Sequence, residues 1–362
     1  MKSIIRYVLQ KAGYQLTRIG DANGIIEDSG VKVRLDRNVL NDIFEFYSNI
    51  SPFYSPDTRA ELQIAGAWKE DFLERRKNQL SAITNLDRNM YADLLENMFQ
   101  NEMISGLLNY AYFSQKTIGS SLPYQMSKDL KSFSYLTGLT QDDLCDGNFG
   151  HPWGLRTPNG IVTYGDPYGG YYAYNCAKLI NSLKNQNNCY MDIGSGYGGT
   201  PLKVSRFVQK PLRSILVDLP LNLTTAYAYI SMNSSKRCYL VSSLSDLDLL
   251  DDKRFDESHF VFVPTLFVEE LASRVDSIDL LYNHGSFSEM DLLTIEFYLD
   301  LFVDGISTYL YEINSNLPVL NAGDHIEIPS STFPVSEKYC LLSRTYSINQ
   351  ATRYMQSLYR LS

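Results

Sequence analysis

Apolar positions follow one period in the first part of the chain and another in the rest. Between Val31 and about Gly147 the spacing is helical. Leu62, Ala65, Trp68 and Phe72 share one helical face, and Tyr91, Leu94, Leu95, Met98 and Phe99 share another, with charged residues between them. Pro52, Pro56 and the run Ser121-Leu122-Pro123 break the pattern. From Tyr171 onward, helical stretches alternate with short apolar runs. The runs predict strands over 189–193, 214–217, 237–242, 260–267, 278–282 and 305–314, with a last strand and turn in 343–361. Helices are predicted over 171–183, 202–208, 222–232, 269–275 and from Ser286 to about Phe302. Alternation of this kind predicts an α/β sheet covered by helices on both faces. Whether 237–242 or 260–267 takes the third place in that sheet stays open.

The stretch Cys189 to Gly199, CYMDIGSGYGG, carries the most specific chemistry. A strand runs into a loop with glycines at 194, 196, 198 and 199, and a helix follows with Pro201 near its start. Glycines let the backbone turn sharply and approach a ligand, and the free N–H groups of the helix start face it. Gly194, Gly196 and Gly199 satisfy the G-x-G-x-x-G spacing, so a nicotinamide or flavin enzyme shares the pattern. Asp192 separates the readings. A carboxylate at the strand end can hold the ammonium of S-adenosylmethionine, whereas it repels a pyrophosphate. Asp218, about twenty residues past the glycines, ends the next apolar run, where either nucleotide class wants an acceptor for ribose hydroxyls.

Composition narrows the class. The 362 residues include 44% hydrophobic and 20% charged, as in a globular protein of one large or two smaller domains. A net charge of −9 argues against a general nucleic-acid partner, which needs a concentrated basic surface. Cysteines at 145, 176, 189, 238 and 340 form no C-x-x-C pair, which fits a reducing cytoplasm and neither a disulfide framework nor a zinc site. No apolar run is long enough to span a membrane. Residues 1–20 stand apart: Lys2, Arg6, Lys11 and Arg18 are their only charges until Gly20, and Ile4, Ile5, Val8, Leu9 and Tyr14 suit one helical face. Either this basic amphipathic helix rests peripherally on the inner membrane surface or it packs on the body.

Cys189 to Gly199 with Asp218-Leu219-Pro220 resembles the cofactor half of class I S-adenosylmethionine-dependent methyltransferases. The run Asp279-Leu-Leu-Tyr-Asn283-His-Gly-Ser286-Phe287-Ser-Glu289-Met290 resembles the Asn-x-x-Ser-Phe-x-Glu-Met signature of a bacterial sugar O-methyltransferase family. The match covers about residues 150 to 315, and Glu312-Ile313-Asn314 is similar to a strand end near that family's pocket. The resemblance implies a Rossmann-like methyltransferase sheet preceded by a mainly helical N-terminal domain. The division expected is a basic helix at 1–20, a helical cap at 21–150 and a cofactor domain at 151–362. It implies S-adenosyl-L-methionine held by Asp192, Gly194, Ser195, Gly196, Tyr197, Asp218, Leu219 and Asn283, with an aromatic helix start, Tyr171 among it, over the cofactor. It also implies a sugar, nucleotide-sugar or glycan acceptor and a place in bacterial surface polysaccharide synthesis.

Several residues carry two readings. His284 is the histidine nearest the predicted strand end, suited to accept a proton from a hydroxyl, and it can equally pack locally. Glu289 either closes a capping box with Ser286 or orients His284. Five tyrosines in 164–174, with Tyr168, Tyr171 and Tyr172 foremost, either stack on a ligand or clasp two domains. His325 enters the pocket or is solvated. No metal-ligand spacing is present, so no metal is expected, although Glu289 and Asp291 lie near His284. A nicotinamide-dependent oxidoreductase, a methyltransferase-like scaffold without activity and a homo-oligomer remain alternatives.

Overall fold

The computed structural model describes residues 26–53, 76–101, 103–104, 122–250, 257–302, 307–319, 326–348 and 353–361. The basic helix expected at 1–20, the face Leu62 to Phe72 and His325 lie outside these residues. The described elements begin with β1 (Ile26–Asp28), α1 (Arg37–Ile50), α2 (Lys77–Thr84), α3 (Arg88–Glu96) and α4 (Leu122–Thr137). Asp36 and Asp87 start α1 and α3 by accepting from the N–H groups of Asn38 at 2.7 Å and Met90 at 2.9 Å. A hairpin follows, β2 (Trp153–Thr157) and β3 (Gly160–Thr163). β1 pairs antiparallel with β2, Ile26 opposite Leu155, so a small sheet crosses the boundary expected at residue 150. Three residues are too short a run for periodicity to reveal.

The second part runs α5 (Asp166–Ser182), β4 (Asn188–Ile193), α6 (Gly199–Phe207), β5 (Leu212–Asp218), α7 (Pro220–Asn233), β6 (Arg237–Leu240) and β7 (His259–Pro264). It continues with α8 (Val268–Arg274), β8 (Ile278–His284), α9 (Ser286–Glu289), α10 (Leu292–Phe302), β9 (Ser307–Ser315), β10 (Tyr339–Tyr346) and β11 (Tyr354–Leu361). Eight of these strands make one sheet in the order β10-β11-β9-β8-β4-β5-β7-β6. Neighbours from β9 to β6 are parallel, while β11 is antiparallel to both β9 and β10. This is a Rossmann-like sheet, and it settles the open placement: β7 lies beside β5, and β6 is the outer strand. β6 can sit at the edge because its side chains alternate between exposed and half-buried, whereas all six of β7 are buried.

The chain runs outward from β4 in one direction through β5 and β7, then returns to place β8 on β4's other side. Loops after β4 and β8 therefore border a crevice at the strands' carboxyl ends, where open α/β sheets take ligands. Successive side chains of each strand face opposite sides. Tyr190, Leu280, Tyr282, Tyr311 and Ile313 pack with Tyr172, Cys176 and Ile180 of α5, while Met191, Ile193, Leu281 and Leu310 belong to the other core.

Helix α7 is buried on nearly every side, which is why its sequence shows no polar stripe. The N-terminal helices cover it: Gln79 donates to the Leu221 carbonyl at 3.1 Å, and the Tyr91 and Thr224 hydroxyls meet at 2.5 Å. A second junction centres on Lys203 of α6. Its ammonium, 1% exposed, pairs with Asp146 and with Asp166 at 2.9 Å, while Arg206 and the Tyr229 hydroxyl also donate to Asp146, at 2.7 and 2.9 Å.

Candidate functional site

The backbone after β4 makes a cradle. Gly194, Gly196 and Gly198 take φ of +75°, +58° and +85°, a region that side chains rarely tolerate. Their surroundings differ. A Cβ on Gly194 would meet Ser286 Oγ at 2.1 Å, so this glycine lets the β4 and β8 loops touch. A Cβ on Gly196 would meet nothing within 4 Å: this glycine borders open space. The Ser195 hydroxyl beside it is buried with no hydrogen-bond partner among the described residues.

Two carboxylates flank the loop. Asp218 accepts from the Gly196 N–H at 2.7 Å, the Leu219 N–H at 2.7 Å and the Asn222 amide at 2.9 Å. Three of its roughly four acceptor positions are thus used, leaving one on the side of Gly196. Burial raises its pKa to about 6 against those hydrogen bonds. Asp192 is 2% exposed, accepts one hydrogen bond, from the Tyr190 hydroxyl at 3.2 Å, and has no ion pair among the described residues. Burial drives its pKa well up, and the Asp218 charge adds to this. A buried carboxylate without a cation is costly. A ligand cation would relieve the charge of both groups.

The parallel register sets Asp192 opposite Tyr282, and His284 is the next residue of β8 on that same face. His284 lies edge-on to Tyr172, with ring centroids 5.0 Å apart, and to Tyr354 at 6.4 Å. Its imidazole nitrogens have no hydrogen-bond partner among the described residues. Burial lowers its pKa to about 4, below the value near 6.5 that the unperturbed side chain carries. The ring is therefore neutral at pH 7, and burial makes it a weaker base than a solvated imidazole. Tyr354 comes from the start of β11, opposite Ser315 of β9, and the Arg353 guanidinium stacks 5.3 Å from its centroid while pairing with Glu327. Sequence patterns missed Tyr354, Arg353 and Glu327, because only the antiparallel return of β11 on β9 brings Tyr354 near His284 and Arg353 against Glu327.

Three of the expected site residues have partners within the protein. Asn283 points to the opposite face from His284 and is saturated. It donates to the Ile193 carbonyl at 2.7 Å and to Ser286 Oγ at 2.5 Å, and its oxygen accepts from the Phe287 N–H at 3.2 Å and the Asn314 amide at 2.9 Å. It ties three strand ends together. Tyr197 turns away from the cradle, its ring against Gly199, Phe99 and Tyr229 with centroids 5.7 and 5.1 Å from the latter two. Glu289 closes no capping box, since the Ser286 hydroxyl donates to the Ile193 carbonyl at 3.0 Å, and the expected helix splits into α9 and α10. Nor does Glu289 orient His284. Its charge is felt at Arg353 and Tyr354 instead.

Tyr171 and Tyr172 lie in the first half of α5 with ring centroids 5.9 Å apart; the Tyr172 ring faces His284 and its hydroxyl bonds to Ser347, while that of Tyr168 donates to Asp129 at 2.5 Å. Leu219 enters the site through its backbone N–H alone. All five cysteines are unpaired. Among the described residues no group of three or more His, Cys, Asp or Glu could hold a metal, and no helix is long and apolar enough to cross a membrane.

No family model matches the chain, and no curated protein does. Solved structures give distant likenesses. The small RNA methyltransferase HEN1 is 14% identical with a TM-score of 0.38, over 57% of this chain and 26% of that one. WbdD is 12% identical with a TM-score of 0.36, over 57% and 36%. The magnesium protoporphyrin IX methyltransferase of Synechocystis PCC 6803, solved with bound SAM, is 9% identical with a TM-score of 0.36, over 56% and 86%. The chain thus spans about a quarter to a third of the length of the first two. Likeness this distant assigns neither substrate nor activity; the chain's own strand order and site residues define what it is, a Rossmann-like protein with an acid-flanked glycine cradle.

Proposed function

We propose that the protein is an S-adenosylmethionine-dependent O-methyltransferase whose acceptor is a sugar hydroxyl, in bacterial surface polysaccharide synthesis. The observation that carries this reading is Asp192: a buried carboxylate with no cation, beside a glycine cradle with open space over Gly196. A ligand that brings its own positive charge satisfies it, and a dinucleotide pyrophosphate does not. Asp192 would hold the cofactor's ammonium, the remaining acceptor position of Asp218 a ribose hydroxyl, and the cradle backbone would lie along the cofactor. The cofactor supplies a sulfonium-bound methyl group. Bound there, that methyl group would be available to an acceptor hydroxyl, and a nitrogen of His284, which burial keeps unprotonated, would take the hydroxyl proton. The half-buried Tyr354 ring and the Arg353 and Glu289 charges provide an apolar face and hydrogen-bonding groups of the kind a sugar uses. The sugar class is supported by the resemblance of Asn283 to Met290.

Isothermal titration with S-adenosylhomocysteine and with NAD tests the cofactor. Binding of the first alone, weakened at least about tenfold in Asp192→Asn, is expected; binding of NAD alone overturns the reading. With a sugar acceptor in hand, His284→Ala should lower kcat by about 10²-fold or more while the cofactor Kd stays put.

A further inference from the structure

A third charged group approaches the cradle from outside the sheet. Arg76, at the start of α2, is 4% exposed and bridges two parts of the chain. One guanidinium nitrogen donates to Gln79 Oε1 at 3.0 Å and another to Asn222 Oδ1 at 3.1 Å. The same Asn222 side chain passes the bond on, its amide donating to Asp218 Oδ1 at 2.9 Å. Arg76, Asn222 and Asp218 thus form a directed chain in which each donor is oriented by the one before. Asn222 by itself is ambiguous, because its amide could flip. Arg76 offers only donors, so it requires the oxygen of Asn222 on its side and turns the NH2 toward Asp218. With Oδ1 held by Asn222 and the Leu219 N–H, the other oxygen, Oδ2, is left facing the Gly196 N–H and the cradle.

We propose that Arg76 is a positioning residue for the cofactor carboxylate: acting through Asn222, it fixes the orientation of Asp218 and keeps it ionised, so that the N-terminal helices complete the binding site. This rests on the function proposed above. The groups that act on Asp218 are few. Burial opposes its ionisation, the Asn222, Gly196 and Leu219 donors and the Arg76 charge favour it, and its own charge in turn raises Asp192 on β4 and Tyr298 on α10. Removing Arg76 leaves Asp218 buried without the cation that supports its charge.

The test is S-adenosylhomocysteine affinity from pH 5 to pH 8. For wild type, binding weakens as pH falls through about 6, where Asp218 takes up its proton. In Arg76→Met the affinity at pH 7 should fall about tenfold and the midpoint of the pH profile should rise by about one unit, the size of effect one opposite charge has nearby. Arg76→Lys keeps the charge without the fork, so it should bind more weakly with an unmoved midpoint; if the Met variant does not fold, the Lys variant and Gln79→Ala carry the test. Gln79→Ala cuts the same buried network on the side away from Asp218, and should lower Tm while leaving both affinity and midpoint at the wild-type values. A midpoint in Arg76→Met equal to wild type, or affinity in Gln79→Ala falling as far as in Arg76→Lys, reduces Arg76 to a structural bridge and overturns the inference while the cofactor reading stands. Absence of S-adenosylhomocysteine binding by wild type overturns both.

Discussion

Asp192 and Asp218 show how two carboxylates at neighbouring strand ends come to differ. Asp218 sits where three donors converge, and Asp192 sits one strand over with a single phenol. The consequence for stability has a definite sign. Asp218 has its pKa raised from 3.8 to about 6 on folding, so the folded state holds a proton that the unfolded chain releases earlier. Its contribution is complete below pH 4 and is lost as pH rises toward about 6. Compared with Asp218→Asn, the ligand-free wild type should lose roughly 3 kcal/mol of unfolding free energy between pH 4 and pH 7, from two pH units at about 1.36 kcal/mol each. Urea denaturation of both proteins across that range checks it; a wild-type advantage that grows with pH would contradict the burial argument. His284 responds oppositely, its depressed pKa adding stability that disappears as pH falls toward 4, which is why the comparison is made against the variant.

The loop after β4 is a single element whose glycines do different jobs. Gly194 is packed against Ser286, where Asn283 and the Ile193 carbonyl lock the β4 and β8 loops together. Gly194→Ala must both adopt a left-handed backbone and displace a backbone-tethered hydroxyl, so a loss of about 2–4 kcal/mol is expected. Gly196→Ala pays only the backbone term, roughly 1–2 kcal/mol, because the space above it is open. That methyl group would nevertheless occupy the cradle. Thermal melts and S-adenosylhomocysteine titration should therefore separate the pair: a large Tm loss for the first, and a modest Tm loss with abolished binding for the second. Equal binding by Gly196→Ala and wild type would remove the cradle from the site.

In the molecule as a whole, buried polar junctions join the N-terminal region to the sheet domain. One is Arg76, Gln79 and Tyr91 against α7; the other is Lys203 between Asp146 and Asp166. Such ion pairs contribute little over a well-packed apolar substitute, yet removing one partner strands the others without water. Lys203→Met should cost about 3–5 kcal/mol in chemical denaturation, and adding Asp146→Asn should recover part of it. A variant as stable as wild type would show that water reaches the junction. Because the junction lies on α6, directly after the cradle, loss of cofactor binding is expected to accompany the loss of stability.

The α/β alternation, the loop glycines and the placement of Asp192, Asp218 and His284 at or near strand ends were legible in the linear chain, because each depends on local spacing: period two for strands, positive φ for glycines, a polar residue closing an apolar run. Partnership was not legible. Asn283 and His284 are adjacent in sequence, but the strand's alternation sends one into a saturated latch between strand ends and the other into the crevice. Ser286 and Glu289 have capping-box spacing, yet the hydroxyl finds a better acceptor on β4, 93 residues away. Tyr354, Arg353 and Arg76 carry no motif at all; the return of β11 and the docking of α2 on α7 bring them near His284 and Asn222. Local backbone preferences are written residue by residue, whereas the environment that gives a side chain its charge state and its neighbours arises only when distant segments are packed together.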